Sequence, residues 1–147
     1  MTYYAVVDTN VIVSALLKEG SIPFQILENI KFGKIIPLYN ENILYEYFDV
    51  LERNKFGFTT EQIKKSISLF LDHGLEMNPI EIDEFFSDED DKIFYQIVMS
   101  SRQSGEDSKL ITGNTKHFPQ KEFIVTPAEM IEIIELDEKL EKEKGTV

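Results

Sequence analysis

Apolar positions along the chain fall into short runs and helical stripes that alternate from one end to the other. Tyr3 to Val7 is a short run of aromatic and β-branched residues and reads as a strand closed by Asp8. Val11 to Leu17 reads as a short helix ended by Gly20. Ser21 and Pro23 open another through Ile30, because serine caps a helix and proline suits its first turn. Lys34 to Tyr39 predicts a strand, short or irregular because Pro37 lies inside it. From Asn40, a good cap, a helix is predicted to about Arg53, with Ile43, Leu44, Tyr47, Phe48, Val50 and Leu51 forming its apolar stripe.

The second half repeats the alternation. A helix is predicted over Thr60 to His73, an extended piece over Glu76 to Ile82, and a helix over Lys92 to Ser101 after the acidic stretch SDEDD. Lys109 to Thr112 and Phe123 to Val125 read as strands. Thr126-Pro127-Ala128-Glu129 carries the proline and spaced glutamate of a capped helix start. Strands separated by helices predict the α/β class, here three α/β/α layers around a central parallel sheet of four to five strands. One domain is expected over residues 1–138, with 139–147 as a fraying tail.

Composition narrows the picture. The 147 residues contain no cysteine, which excludes a disulfide framework and any thiolate metal site. No apolar run approaches a membrane span, and the start MTYYAVV lacks the basic region of a signal peptide, so a cytoplasmic protein with no membrane partner is expected. A net charge of -12 works against long contacts with phosphate backbones unless the acids are segregated. They are partly so: Glu81 to Asp91 holds seven acids and no base.

One carboxylate breaks the apolar pattern. In YAVVDTNVIVSALL, Asp8 sits where a buried segment should be dry, and an unpaired carboxylate there must find a cation, a metal or a hydrogen-bond cage. In a parallel sheet, ligands bind beyond the carboxyl ends of the strands. Asp8 follows one strand and Asn114 follows another, so neighbouring strands would aim both at one crevice. Glu46 borders the apolar stripe of its helix, and Asp88, Asp90 and Asp91 crowd the first turn of the next one. Each has an ordinary reading, Asp88 as a helix cap and Glu46 as a flank residue paired with Arg53. Their convergence with Asp8 and Asn114 is what the ordinary readings leave unexplained. Carboxylates without His or Cys suit Mg²⁺ or Mn²⁺. Lys116 and His117 follow Asn114 and are placed to meet phosphates around the crevice, a turn histidine being the equal alternative for His117. Phe85-Phe86, Phe94 and Phe123 have the spacing of core residues. An EF-hand loop beginning at Asp88 fails, since Ile93 stands where glycine and Met99 where glutamate is needed.

Four pieces in order, VVDTNVIVSALL, the acid in ILYEYFDVLER, DEDD before an apolar helix, and ITGNTKHFP, resemble the PIN domain family, in particular its branch of toxin components of toxin-antitoxin pairs. The resemblance implies a metal-dependent ribonuclease in which Asp8, Glu46 and Asp91 are the catalytic, metal-binding acids, with Asp90 or Asp88 as alternatives in DEDD. It further implies that Asn10 orients Asp8, that Thr112 supplies a hydroxyl at the site, and that Asn114 occupies a metal position where many members carry aspartate. The amide removes a charge worth on the order of 4 kcal/mol near the metal before desolvation is subtracted, so weak metal binding is expected. The implied partners are RNA and a small antitoxin protein. The alternative is a catalytically weak or inactive PIN-fold module acting through a protein partner. Apolar stripes on the helices at Ser21 to Ile30 and Thr60 to His73 fit either a core or a homodimer face.

Overall fold

β1 (Tyr3–Val7) is buried almost throughout, as expected of a strand covered on both faces, and it takes the middle of the sheet. The computed structural model describes residues 1–145. After β1 come α1 (Thr9–Leu17), α2 (Ile22–Lys31), β2 (Ile35–Tyr39), α3 (Glu41–Leu51), α4 (Thr60–His73) and β3 (Leu75–Glu76). Then follow α5 (Glu89–Gln103), β4 (Lys109–Ile111), β5 (Ile124–Val125) and α6 (Pro127–Gly145). Strand order is β3-β2-β1-β4-β5, with every neighbouring pair parallel. Five strands between helical layers give the three-layer α/β/α architecture.

Local chemistry sets the boundaries. Ser21 accepts a hydrogen bond from the Phe24 amide at 3.3 Å, and Asn40 Oδ1 accepts one from Ile43 at 2.9 Å, so both act as the caps their residue types suggest. Thr126 and Glu129 close a reciprocal capping box at 2.9 and 3.1 Å. Pro37 does not break β2. β3 begins only opposite Leu38, so on that side β2 has no strand neighbour at the proline, where a missing donor is tolerated.

Two boundaries differ most from expectation. α5 starts at Glu89, before Lys92, because Asp88 caps it: its Oδ1 accepts from the Asp90 amide at 2.9 Å. Of the extended piece predicted over Glu76 to Ile82, only Glu76 joins the sheet, as the second residue of β3. α6 ends at Gly145, within the 139–147 segment, of which residues 146 and 147 lie outside the described residues.

The topology places the crevice. The chain leaves β1 for β2 on one side and returns to β4 on the other, so the order reverses between β1 and β4, where α/β sheets open a ligand cleft. Val7 pairs with Ile111, and the Asp8 amide donates to the Ile111 carbonyl at 2.9 Å. The residues after the two strands are therefore held side by side. No helix among the described residues is long and apolar enough to cross a membrane.

Candidate active site

Asp8 is both the first residue after β1 and the N-cap of α1, yet its side chain makes no capping hydrogen bond to that helix. It is only 6% exposed. Thr112 Oγ1, at the end of β4, donates to Asp8 Oδ2 at 2.8 Å, and Asn10 Nδ2 donates to the same oxygen at 3.3 Å. Asn10 is itself held, its Oδ1 accepting from the Gly113 amide at 3.0 Å. The Asn114 amide donates to Thr112 Oγ1 at 3.0 Å. Asp8, Asn10, Thr112 and Asn114 thus form one hydrogen-bonded unit across the β1/β4 boundary. Burial pushes the Asp8 carboxyl above its ordinary value, against the lowering effects of Thr112 and His117.

α5 brings the acidic stretch to this unit and separates its members. Asp88 spends its carboxylate on the cap, and Asp90 is exposed. Asp91 is half-buried, and its carboxyl is pushed up to about 6, first by burial and then by the negative charges of Asp8 and Asp88. It also meets a group that the sequence left ambiguous. His117 Nδ1 lies 3.5 Å from Asp91 Oδ2, while its Nε2 is 2.9 Å from Asn114 Nδ2. The 3-10 turn Thr115–His117 creates this link by bringing His117 back over Asn114. The short interval in GNTKH was the available signal for it.

Glu46 projects from α3 and is pushed up to about 7 by burial, then by the charges of Asp90 and Asp49. Arg53 bonds Asp49 at 3.4 Å and acts on Glu46 only as a weaker lowering charge, so the ion pair that would have made Glu46 a simple flank residue goes to its neighbour. Lys116 is exposed on the loop beside His117. Glu46 therefore shares the field of α5's first turn through Asp90 and Asp88, while Asp91 shares the field of Asp8.

The family model described as PIN domain matches residues 4–116. The chain belongs to the PIN domain family. Comparisons with curated proteins and with solved structures gave no significant match. The matched span contains Asp8, Asn10, Glu46, Asp91, Thr112 and Asn114, and stops one residue short of His117.

PIN domains are in general nucleases, and the donor set of this one can be tested against a divalent ion. Among the described residues, no three His, Asp or Glu side chains are grouped to hold a metal ion. A closed carboxylate cage is therefore absent among them. Mg²⁺ does not require one, since it is commonly held by one or two carboxylates, its remaining positions filled by water and substrate phosphate. The charge of Asp8 raises the proton affinity of Asp91, and both have the hard oxygen donors such an ion prefers, so a two-carboxylate, water-completed site fits.

The raised carboxyls of this PIN domain make its stability pH-dependent. A carboxyl whose pKa is higher folded than unfolded binds more protons in the folded state between the two values, so stability falls as pH rises through that window. For Glu46 the window runs from 4.5 to about 7, and for Asp91 from 3.8 to about 6. Glu84 and Asp107 have lowered carboxyls and act with the opposite sign, at more acidic pH. The thermal midpoint of metal-free protein should fall from about pH 5 to pH 7 and then level. Glu46→Gln should flatten the upper part of that slope. A midpoint that rises steadily across the window would show that these carboxyls are not raised in the folded protein.

Proposed function

We propose that this PIN domain is a Mg²⁺- or Mn²⁺-dependent endoribonuclease. From the resemblance of its VVDTNVIVSALL and ITGNTKHFP segments, we propose that it is the toxin component of a cytoplasmic toxin-antitoxin pair, with a small antitoxin protein as partner. The observation that carries the nuclease reading is that Asp8 and Asp91, far apart in sequence, come near enough for the Asp8 charge to raise the Asp91 carboxyl, beside the His117 ring that faces Asp91.

Asp8 and Asp91 would hold the ion, with the Asn114 side chain beside them. When bound, it would supply Lewis acidity at the phosphorus and neutralise charge on the leaving oxygen. The chain's own residues do the rest. Thr112 and Asn10 fix the Asp8 carboxylate in one orientation, which lowers the cost of presenting it to a ligand. Glu46, with a pKa of about 7, can take up or release a proton at neutral pH. Lys116 is free to meet a phosphate of the RNA.

The test is cleavage of a labelled unstructured RNA by purified protein. Fragments should form with Mg²⁺ or Mn²⁺ and cease when EDTA is added. RNA left intact under all of these conditions would remove the nuclease reading. A second reading, a PIN-fold binding module that acts through a protein partner, is favoured by the lack of a three-acid group among the described residues and by the amide at Asn114. Intact RNA together with a stable complex with the antitoxin-like partner would support it.

A further inference from the structure

The two ring nitrogens of His117 each face a residue of the site. Nδ1 is 3.5 Å from Asp91 Oδ2, and Nε2 is 2.9 Å from the Asn114 side-chain nitrogen. The Asp91 side chain is 17% exposed and the imidazole 58%, so the pair can be reached from solvent. His117 lies one residue beyond the span matched by the PIN domain model, and the match carries no role over to it.

An ion pair would account for the contact with Asp91. An exposed pair of that kind contributes little, and 3.5 Å is longer than the usual hydrogen bond of about 3 Å. The distance is closer to the edge of a coordination polyhedron. Two donors each about 2.1 Å from one ion stand about 3.0 Å apart at a right angle and about 3.4 Å apart at the tetrahedral angle. One nitrogen and one oxygen donor therefore stand where a single dication reaches both with little movement of either side chain.

The contacts around the ring suit the same exchange. With the Asn114 amide donating to Nε2, the ring's own proton is on Nδ1, facing Asp91. A cation can replace that proton. The Nδ1 lone pair then goes to the ion, solvent carries the proton to Nε2, and a half-turn of the Asn114 amide gives Nε2–H an oxygen acceptor. Histidines that bind metal are commonly held through their second nitrogen in this way. Asp8 is within electrostatic reach of both partners, since its charge raises the Asp91 carboxyl and the His117 charge lowers its own. Among the described residues no group of three His, Asp or Glu closes a cage, which leaves positions for water and phosphate.

We infer that His117 Nδ1 is a direct ligand of the divalent ion, shared with Asp91, which makes the centre a mixed nitrogen and oxygen one. The inference rests on the metal-dependent reading above and narrows the class of ion. Imidazole suits later transition metals such as Ni²⁺ and Zn²⁺, whereas Mg²⁺ takes oxygen donors. Asn114 then orients the ring through Nε2.

The test is pulsed EPR of untagged protein loaded with Mn²⁺, together with calorimetric titration of the metal-free protein by Ni²⁺ and by Mg²⁺. The chain has two histidines, and His73 lies exposed in the last turn of α4, so His73→Ala controls for the other imidazole. Nitrogen coupling to Mn²⁺ should appear in the parent and in His73→Ala and vanish in His117→Ala. His117→Ala should weaken Ni²⁺ binding at least about tenfold and leave Mg²⁺ binding nearly unchanged. Metal-free thermal midpoints should stay together, because the ring is exposed. Nitrogen coupling absent from a Mn²⁺-loaded parent that cleaves RNA would overturn the inference and leave the ribonuclease intact, and so would equal losses of Ni²⁺ and Mg²⁺ binding in His117→Ala. Nitrogen coupling from His117 without any RNA cleavage would keep the ligand and remove the nuclease. A parent that binds none of the three ions overturns both readings.

Discussion

Asp8→Asn should slow metal-dependent RNA cleavage by about three orders of magnitude while leaving the metal-free protein at least as stable as the parent. The rate follows from charge. Losing one unit of charge about 4 Å from a bound cation costs on the order of 4 kcal/mol at an effective dielectric near 20, which is about three decades in rate. Stability follows from burial. Asp8 is 6% exposed, and burial raises its carboxyl despite the Thr112 hydrogen bond. An amide oxygen can accept the same bond with no ionised group to desolvate. Single-turnover cleavage and a thermal melt on one preparation read both effects. Cleavage within tenfold of the parent would remove Asp8 from the reaction, and a melt several degrees lower would make its carboxylate a structural group.

The largest loss of stability is expected at Tyr47. This residue is fully buried on α3, its ring centroid 4.9 Å from that of Phe70 and 6.2 Å from that of Phe94. Its hydroxyl donates to the Val7 carbonyl at 2.5 Å. Tyr47→Ala should cost about 3–5 kcal/mol, because a large ring is lost and its cavity can close only partly. Tyr47→Phe keeps the ring but leaves the buried carbonyl of Val7 without this donor, for about 1–3 kcal/mol. Val7 immediately precedes Asp8, so the phenylalanine variant should also lose activity at saturating metal through misplacement of that carboxylate. Urea unfolding measures the two costs, and a Tyr47→Ala protein within 1 kcal/mol of the parent would contradict the packing argument.

The order of the elements was legible because local signals agree with the tertiary structure. Serine, asparagine and the Thr-x-x-Glu box start helices where their side chains can reach amide donors, and β1 is apolar throughout because both its faces are covered. Asp8 was legible as an interruption of such a run. What depends on long-range placement was not. Nothing in DEDD distinguishes the cap Asp88 from Asp91, which shares the field of Asp8; packing of α5 against β1 and β4 decides that. Arg53 could pair with Glu46 or Asp49, and helix geometry selects Asp49. His117 and Phe85 were hardest to read: the 3-10 turn gives no sequence signal for where His117 points, and the Phe85-Phe86 pair, read as core, is divided, with Phe86 buried and Phe85 90% exposed. The proline in β2 suggested irregularity because sequence does not reveal where a neighbouring strand begins.

Both outer strands of the sheet are only two residues long, Leu75–Glu76 on one flank and Ile124–Val125 on the other. A flank that short exposes too few free backbone amides to template pairing with another chain. Growth of the sheet from molecule to molecule is disfavoured at both flanks, and where β2 extends past β3 its edge carries Pro37, which has no amide to donate. Concentrated preparations should therefore resist fibril formation even near the acidic pI of 4.6, where charge repulsion no longer keeps the molecules apart.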